Sequence, residues 1–377
     1  MAKTRIEWAE VVWNPVSGCT PISEGCQNCY ARRMANRLRG RCGYPAEEPF
    51  RVTLHSERLE EPFKLCKPRK VFVCSMSDLF HENVPDEFIA DVFGVMAVAC
   101  ENFCGTNDGK KQIGTYKTSW GKEYPVYTPN YYSGPHTFLV LTKRPDRMRT
   151  LLTSYHFRRK VAKSAFKWAM NRVDAGYLSE RIDHQRLWPL PNVWLGVTAE
   201  NQARADERIP ILLQIPAAVR FVSIEPMLGP VDLTEYFSEY DYRPTYEYYR
   251  EFLKMQGIES DGKPALFKSG LDWVICGGET APGARPMHPD LVRSLRDQCQ
   301  DAGVPFFFKS WGEWSADYTE HDKRGVVAFD GWWSEGWPFG YGLDHPNSIE
   351  VYKVGKKRAG RLLDGRTWDE IPTPQIE

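Results

Sequence analysis

Seven short runs of β-branched and aromatic residues recur along the chain with helical patterns between them, and this alternation limits the fold more than any other feature. The runs lie near 11–17, 70–75, 136–142, 192–198, 219–224, 271–276 and 304–308. Segments that read as helices are 29–39, 86–102, 145–154, 203–214 and 288–302. Strands that alternate with helices predict a parallel sheet joined by crossover helices. In 86–102, Pro85 is placed to open the helix, and Phe88, Val92, Phe93, Met96 and Ala97 form one apolar stripe. In 288–302, Leu291, Val292, Leu295 and Cys299 face inward and Gly303 marks the end.

Polar residues stand just after the expected strands: Ser77 and Asp78, then Lys143 and Arg144, Thr198 and Glu200, Glu225, and finally Glu279. In α/β barrels the loops at the carboxyl ends of the strands build the active site. The repeated placement predicts an α/β enzyme built as a partial (β/α) barrel. Lys143 and Arg144 suit a carboxylate or phosphate, because cations at a helix N-terminus oppose its dipole unless an anion is near. Glu200 and Glu225 suit ribose hydroxyls or a substrate amine, and serve equally well as structural carboxylates.

Composition narrows the class. The 377 residues are 42% hydrophobic, enough for a substantial core, and hold 49 basic against 49 acidic residues. The chain as a whole is therefore not a nucleic-acid-binding polycation, although a local basic patch is compatible with zero net charge. No apolar run approaches the ~18 residues of a membrane span, and Met-Ala-Lys-Thr-Arg is not followed by a signal-peptide core. Ten cysteines without secretion signals point to a reducing compartment.

Three of those cysteines, Cys19, Cys26 and Cys29, share the run Gly18 to Tyr30. Thiolates on one loop favour zinc, copper(I) or iron–sulfur centres. A [4Fe–4S] cluster ordinarily takes four cysteines, so three leave one iron open to a substrate or cosubstrate. The competing reading is a closed structural zinc site with Cys42 or Cys66 as fourth ligand. Cys74, Cys100, Cys104, Cys276 and Cys299 lie in apolar segments and read as buried small hydrophobes.

The cysteine loop with an aromatic at Tyr30 resembles the radical S-adenosylmethionine superfamily. Six residues separate the first two cysteines where that superfamily has three, and the spacing is similar to that of a phage- and prophage-associated three-Cys-motif branch. Further runs carry the resemblance: Ile6-Glu7-Trp8, Trp13-Asn14-Pro15, Ser75 to Phe80, Leu141 to Pro145, Gly196 to Asn201, Ser223 to Pro226 and Gly277-Gly278-Glu279. The resemblance implies an open partial barrel, a [4Fe–4S] cluster on Cys19, Cys26 and Cys29, and S-adenosylmethionine on the open iron. It also implies an external one-electron reductant and a 5′-deoxyadenosyl radical that abstracts hydrogen. The implied cofactor contacts are Tyr30, Ser75, Ser77, Asp78, Lys143, Thr198, Glu200, Glu225 and Gly277, with Ser75, Ser77 and Asp78 in the amino-group role. Gly277-Gly278-Glu279 looks like that superfamily's amino-group motif, but it follows about the sixth strand rather than the second. Its glycines let the backbone approach a ligand, or form an ordinary strand-end turn.

The domain organisation expected is a barrel over 1–314, with insertions at about 105–135, 156–190 and 230–269, and an extension over 315–377 packing on it. The extension and the residues before it carry Trp311, Trp314, Trp332, Trp333 and Trp337. The middle insertion holds the basic run Arg158, Arg159 and Lys160, and the outer two are rich in tyrosine, from Tyr116 to Tyr132 and from Tyr236 to Tyr249. Aromatics beside a cationic groove hold single strands and flipped bases. With the phage context, this gives DNA or a nucleotide as the expected partner, Arg144, Arg158, Arg159, Lys160 and Glu279 as substrate contacts, and a hypermodified thymine as the base to be rearranged. No membrane partner is expected, and the expected location is the cytoplasm of a bacterial host. A repair lyase that reverses a photoproduct, and a zinc-stabilised DNA-binding module without radical chemistry, are the alternatives.

Overall fold

The computed structural model describes residues 2–4, 6–65, 67–99, 112–117, 123–127, 136–170, 175–185, 187–237, 270–316, 323–336, 345 and 347–372. The chain forms two units, one of 1–20 with 31–195 and one of 21–30 with 196–377.

The first unit carries β1 (Ala2–Lys3), β2 (Val11–Trp13), β3 (Val16–Ser17), β4 (Thr53–Leu54), β5 (Lys70–Val73), β6 (Gln112–Lys117), β7 (Glu123–Tyr127), β8 (Thr137–Thr142) and the first half of β9 (Val193–Thr198). The second carries the rest of β9, β10 (Val219–Ile224), β11 (Trp273–Gly277), β12 (Phe306–Ser310), β13 (Trp314–Ser315), β14 (Lys323–Ala328), β15 (Trp333–Glu335) and β16 (Ser348–Lys353). The large sheet has the order β1-β2-β5-β8-β9-β10-β11-β12. Its first strand is antiparallel and the other seven are parallel, a mixed α/β fold compatible with a partial (β/α) barrel. Strands such as Val193–Thr198 and Val219–Ile224 are buried at every residue, as expected where parallel strands are covered on both faces.

The seven expected strands are all present, with shifted ends. The run 11–17 breaks at Asn14-Pro15 into β2 and β3, and β3 pairs with β4 rather than joining the large sheet. Strand β5 stops at Val73 because Cys74 takes a left-handed φ of 60°. The helix expected over 86–102 runs Asp86–Val98, and Pro85 stands before it, in extended conformation, rather than inside its first turn.

The segment 156–190, expected as an insertion, is two helices, Tyr155–Ala169 and Ala175–Asp183. The first buries Phe157, Arg158, Val161, Ala162, Ala165 and Ala169. It lies so close to Asp86–Val98 that a Cβ on Gly94 would sit 2.5 Å from Ser164 Oγ. This second covering layer explains why ten residues of Asp86–Val98 are buried rather than one stripe. The aromatics of the first insertion lie outside the side chains described, as do residues 238–269 of the last. Tyr236 is the exception: it is buried in the helix Thr234–Phe237, and its hydroxyl donates to Asp206 at 2.9 Å.

In the second unit, β13-β16-β14-β15 form a separate antiparallel sheet around Trp314, Val327, Val351 and Ala284. The final described segment then runs along β12. Phe308 N–H donates to Trp368 O at 2.9 Å, Glu370 N–H to Phe306 O at 3.3 Å, and Trp273 Nε1 to Glu370 O at 2.8 Å. These bonds cover an edge that would otherwise present unpaired groups.

Four histidines, His55, His81, His136 and His288, are buried, and burial is the leading cause that holds each below its ordinary pKa. Each imidazole stays neutral in the fold while its unfolded counterpart takes up a proton near pH 6.5. The contribution is full above that pH and is lost as pH falls through the lowered folded values. Urea midpoints should therefore begin to drop as pH falls below about 6.5, before carboxylates titrate, by up to ~1.4 kcal/mol per pH unit for each histidine. A flat midpoint between pH 7 and 5 would contradict this.

Candidate functional site

In the first unit, polar residues after β5 and β8 converge on Arg144. Its Nη1 donates to Cys19 Sγ at 3.5 Å and to Asp78 Oδ2 at 3.3 Å. Its Nε meets Glu82 at 3.1 Å, and Nη2 reaches Thr20 O at 3.1 Å and Thr20 Oγ1 at 2.9 Å. Arg144 immediately precedes the helix Pro145–Leu152, so these are the anions that the position calls for. Burial works against its charge, but Asp78 and Cys19 more than offset that and hold the guanidinium above its ordinary pKa.

Asp78 is nearly enclosed. It accepts from Thr142 Oγ1 at 2.7 Å, Phe80 N at 3.0 Å and Lys143 N at 3.0 Å as well as from Arg144. Ser75 Oγ donates to Asn14 Oδ1 at 3.2 Å and Ser77 Oγ to Val16 O at 2.9 Å, tying the loop after β5 to that after β2. Thr20 Oγ1 also shares a hydrogen bond with His81 Nε2 at 2.8 Å. Just upstream, Ser17 and His55 Nε2 share a buried bond of 2.8 Å.

In the second unit the cysteine loop is clasped through its acidic and amide side chains. Ser23 Oγ, 3.7 Å from Cys26 Sγ, donates to Glu200 Oε1 at 2.6 Å. Glu200 Oε2 accepts from Arg208 Nη1 at 3.0 Å, and the same nitrogen reaches Thr198 O at 2.7 Å. Gly25 sits against this carboxylate, where a Cβ would come within 2.3 Å of Oε1. Glu24 accepts from Asn201 Nδ2 at 2.6 Å and from Arg204 Nε and Nη2 at 3.2 and 3.1 Å. Asn201 also caps the helix Gln202–Leu213 by accepting from Arg204 N. Burial raises the Glu24 pKa, but its own backbone N–H, Arg204 and Asn201 outweigh that and hold it below the usual range.

Glu279 holds the loop at its other end. Arg285 grips it by two bonds, Nη2 to Oε1 at 2.6 Å and Nε to Oε2 at 2.9 Å, and Asn28 Nδ2 donates to Oε2 at 2.9 Å. Arg285 Nη2 also donates to Glu24 O at 3.0 Å. Glu225 pairs with Lys309. Gly277 ends β11. The close approach at Gly278 is to the chain itself, since a Cβ there would meet Trp311 O at 2.2 Å.

Tyr30 is exposed at the first turn of Tyr30–Arg37. The basic run is engaged elsewhere. Arg158 is buried, with its guanidinium 5.2 Å from the Tyr155 ring centroid, Arg159 lies 3.6 Å from Asp183, and Lys160 binds Glu87 at 2.8 Å. Sequence reading passed over Glu24, Asn28, Arg204, Arg208 and Arg285. A signal existed for four of them: Glu24 and Asn28 stand inside the cysteine run, and Arg204 and Arg208 follow Asn201 at an i, i+4 spacing that puts both on one helix face.

Cys19, Cys26 and Cys29 are half-buried and in no disulfide, and Cys42 is exposed. Cys74, Cys276 and Cys299 are buried, and burial drives each thiol upward, Cys74 to about 12. Among the described residues, no three His, Cys, Asp or Glu side chains are gathered as a metal site. The donors thus suit a soft metal in kind, without forming an assembled ligand set.

The fold and site define an α/β protein with a thiol-bearing loop braced by buried ion pairs. The chain belongs to the family described as "Protein of unknown function (DUF5131)", whose pattern matches residues 3–103 and 130–372. This corrects the resemblance drawn from the motifs: the family found is not the radical S-adenosylmethionine superfamily, from which the six-residue gap between Cys19 and Cys26 already departed. No curated protein matches, and no solved structure does. Among the described residues no helix is long and apolar enough to cross a membrane.

Replacing Glu200 with Gln leaves the buried Arg208 with only the exposed Glu207, 3.9 Å away, as a counter-charge. The change should cost about 3–5 kcal/mol, read as a lower urea midpoint, and should speed alkylation of Cys26 and Cys29. An unchanged midpoint and labelling rate would refute the bracing role.

Proposed function

We propose that this chain is an enzyme that works through Cys19, Cys26 and Cys29, with a [4Fe–4S] cluster as cofactor and S-adenosylmethionine as cosubstrate. The observation that carries the reading is a division of labour among the loop's residues. The acids and amides at positions 24, 28, 200 and 279 are consumed in bracing, whereas the three thiols are half-buried and outside any disulfide, met by Arg144 at Cys19 and by Ser23 at Cys26 in the bonds described above. Three soft donors suit iron–sulfur chemistry with one open iron. Bound there, the cluster supplies a one-electron reduction of the sulfonium, drawn from an external reductant. The chain's own residues fix the loop and hold Arg144 against Cys19. Because the thiols are not assembled as a ligand set, no residue is given a step beyond this. The substrate we propose is a nucleobase in DNA, a hypermodified thymine whose substituent is rearranged.

Anaerobic reconstitution followed by absorption and a dithionite assay tests the reading. It predicts a brown protein absorbing near ~400 nm and 5′-deoxyadenosine that disappears in Cys19→Ala, Cys26→Ala and Cys29→Ala. A colourless protein with tight zinc and no 5′-deoxyadenosine would replace it with the zinc-stabilised DNA-binding module. Regenerated rather than consumed S-adenosylmethionine would favour the repair lyase.

A further inference from the structure

The segment that follows the cysteine loop is strongly one-sided in charge. Arg32, Arg33, Arg37, Arg39 and Arg41 fall within ten residues, with no acid and no lysine among them. Arg32 and Arg33 are half-buried and Arg37, Arg39 and Arg41 exposed. The helix Tyr30–Arg37 buries Ala31 and Ala35, so its opposite side, with Arg33, Met34 and Arg37, is left to solvent. Among the described residues none of the five guanidiniums is paired with a carboxylate. Arg39 and Arg41 instead use part of their donors to fix the following turn: Arg39 Nη1 donates to Ala46 O at 2.9 Å and Glu47 O at 3.4 Å, and Arg41 Nη2 to Arg37 O at 2.6 Å. Arg32 lies 5.7 Å from the Phe50 ring centroid. Arg33 and Arg37 make no hydrogen bond or ion pair within the described structure.

The contrast with the other basic run is physical. At Arg158, Arg159 and Lys160 the charges are buried or met by Asp183 and Glu87. At 32–41 five like charges repel one another and none forms an ion pair among the described residues, a local cost that an anionic partner would relieve. All five are arginines, whose planar fork matches phosphate oxygens two at a time. A lipid surface fits less well, because membrane-binding helices need a broad apolar face, and here the apolar residues Ala31 and Ala35 face the fold. Met34 gives the exposed side one apolar contact of the kind that bases accept.

We infer that Arg32, Arg33, Arg37, Arg39 and Arg41 form a docking surface for the phosphate backbone of a nucleic acid. The inference deepens the nucleobase reading above by naming where the strand is held, and it stands on the patch's own charge whether or not the loop carries a cluster.

The test is an anisotropy titration of the full chain with labelled 20-mer DNA, single- and double-stranded, over a range of salt, beside Arg33→Glu/Arg37→Glu and Arg159→Glu/Lys160→Glu variants. The side chains of the first pair make no hydrogen bond or ion pair within the described structure, so circular dichroism should be unchanged. Its affinity should fall at least about tenfold, and the slope of log K against log salt should flatten by about two. The second variant should bind within about twofold of the unaltered chain. Loss in the second variant but not the first, absence of DNA binding at low salt, or binding to phosphatidylserine vesicles in place of DNA would each overturn the inference. Production of 5′-deoxyadenosine without DNA reads the cluster chemistry separately. If it fails while the patch still binds DNA, the enzyme reading falls and the docking surface remains.

Discussion

Glu200 and Arg208 are buried almost completely, and their mutual dependence underlies the geometry of the cysteine loop in the second unit. Removing two ions from water costs more than their attraction returns unless the remaining lone pairs and protons also find partners. Here that is met in part: Arg208 Nη1 also reaches the Thr198 carbonyl and the other oxygen of Glu200 takes the Ser23 hydroxyl, while Arg208 Nε makes no hydrogen bond and lies 3.9 Å from Glu207. The loop is thus part of how a buried charge is satisfied. Gly25 is required because the carboxylate occupies the volume that any side chain there would fill.

A second clasp repeats the logic with different groups. Arg285 takes both oxygens of Glu279 and still reaches the backbone of Glu24, while Asn28 joins Glu279 to the carbonyl of Gly283. Carboxylates placed after parallel strands can contact ligands, but here two of them hold a neighbouring loop. Their positions at the carboxyl ends of β9 and β11 are those of a barrel active site, and their bonds are those of a scaffold.

The large sheet was legible because its parallel strands are short runs rich in β-branched and aromatic residues, and the helices Pro145–Leu152, Gln202–Leu213 and Pro289–Asp301 because they begin at Pro or Asn and carry one apolar face. The helix Tyr155–Ala169 was misread because its lysines and arginines advertise a solvated segment, whereas its buried side rests on small residues such as Ala162 and Ala165 that carry little pattern. The antiparallel sheet near the C-terminus was missed because its strands are short and mixed in polarity. Among the candidate site residues, the sequence marked Cys19, Asp78 and Arg144, which meet. It could not show that Glu200 and Glu279 are already taken: Ser23 and Asn28 lie 177 and 251 residues away in sequence, and nothing in the pattern pairs Arg208 and Arg285, eight and six residues on, with these two acids.

The contrast among the thiols has its own consequence. Cys74, Cys276 and Cys299 are shut inside apolar surroundings that suppress ionisation, while Cys19, Cys26 and Cys29 reach solvent in part. Oxygen damage to this protein would therefore be localised rather than general. Among the described cysteines, handling in air would oxidise the loop and the exposed Cys42 first, leaving a chain that is folded by every global measure yet chemically altered at those thiols.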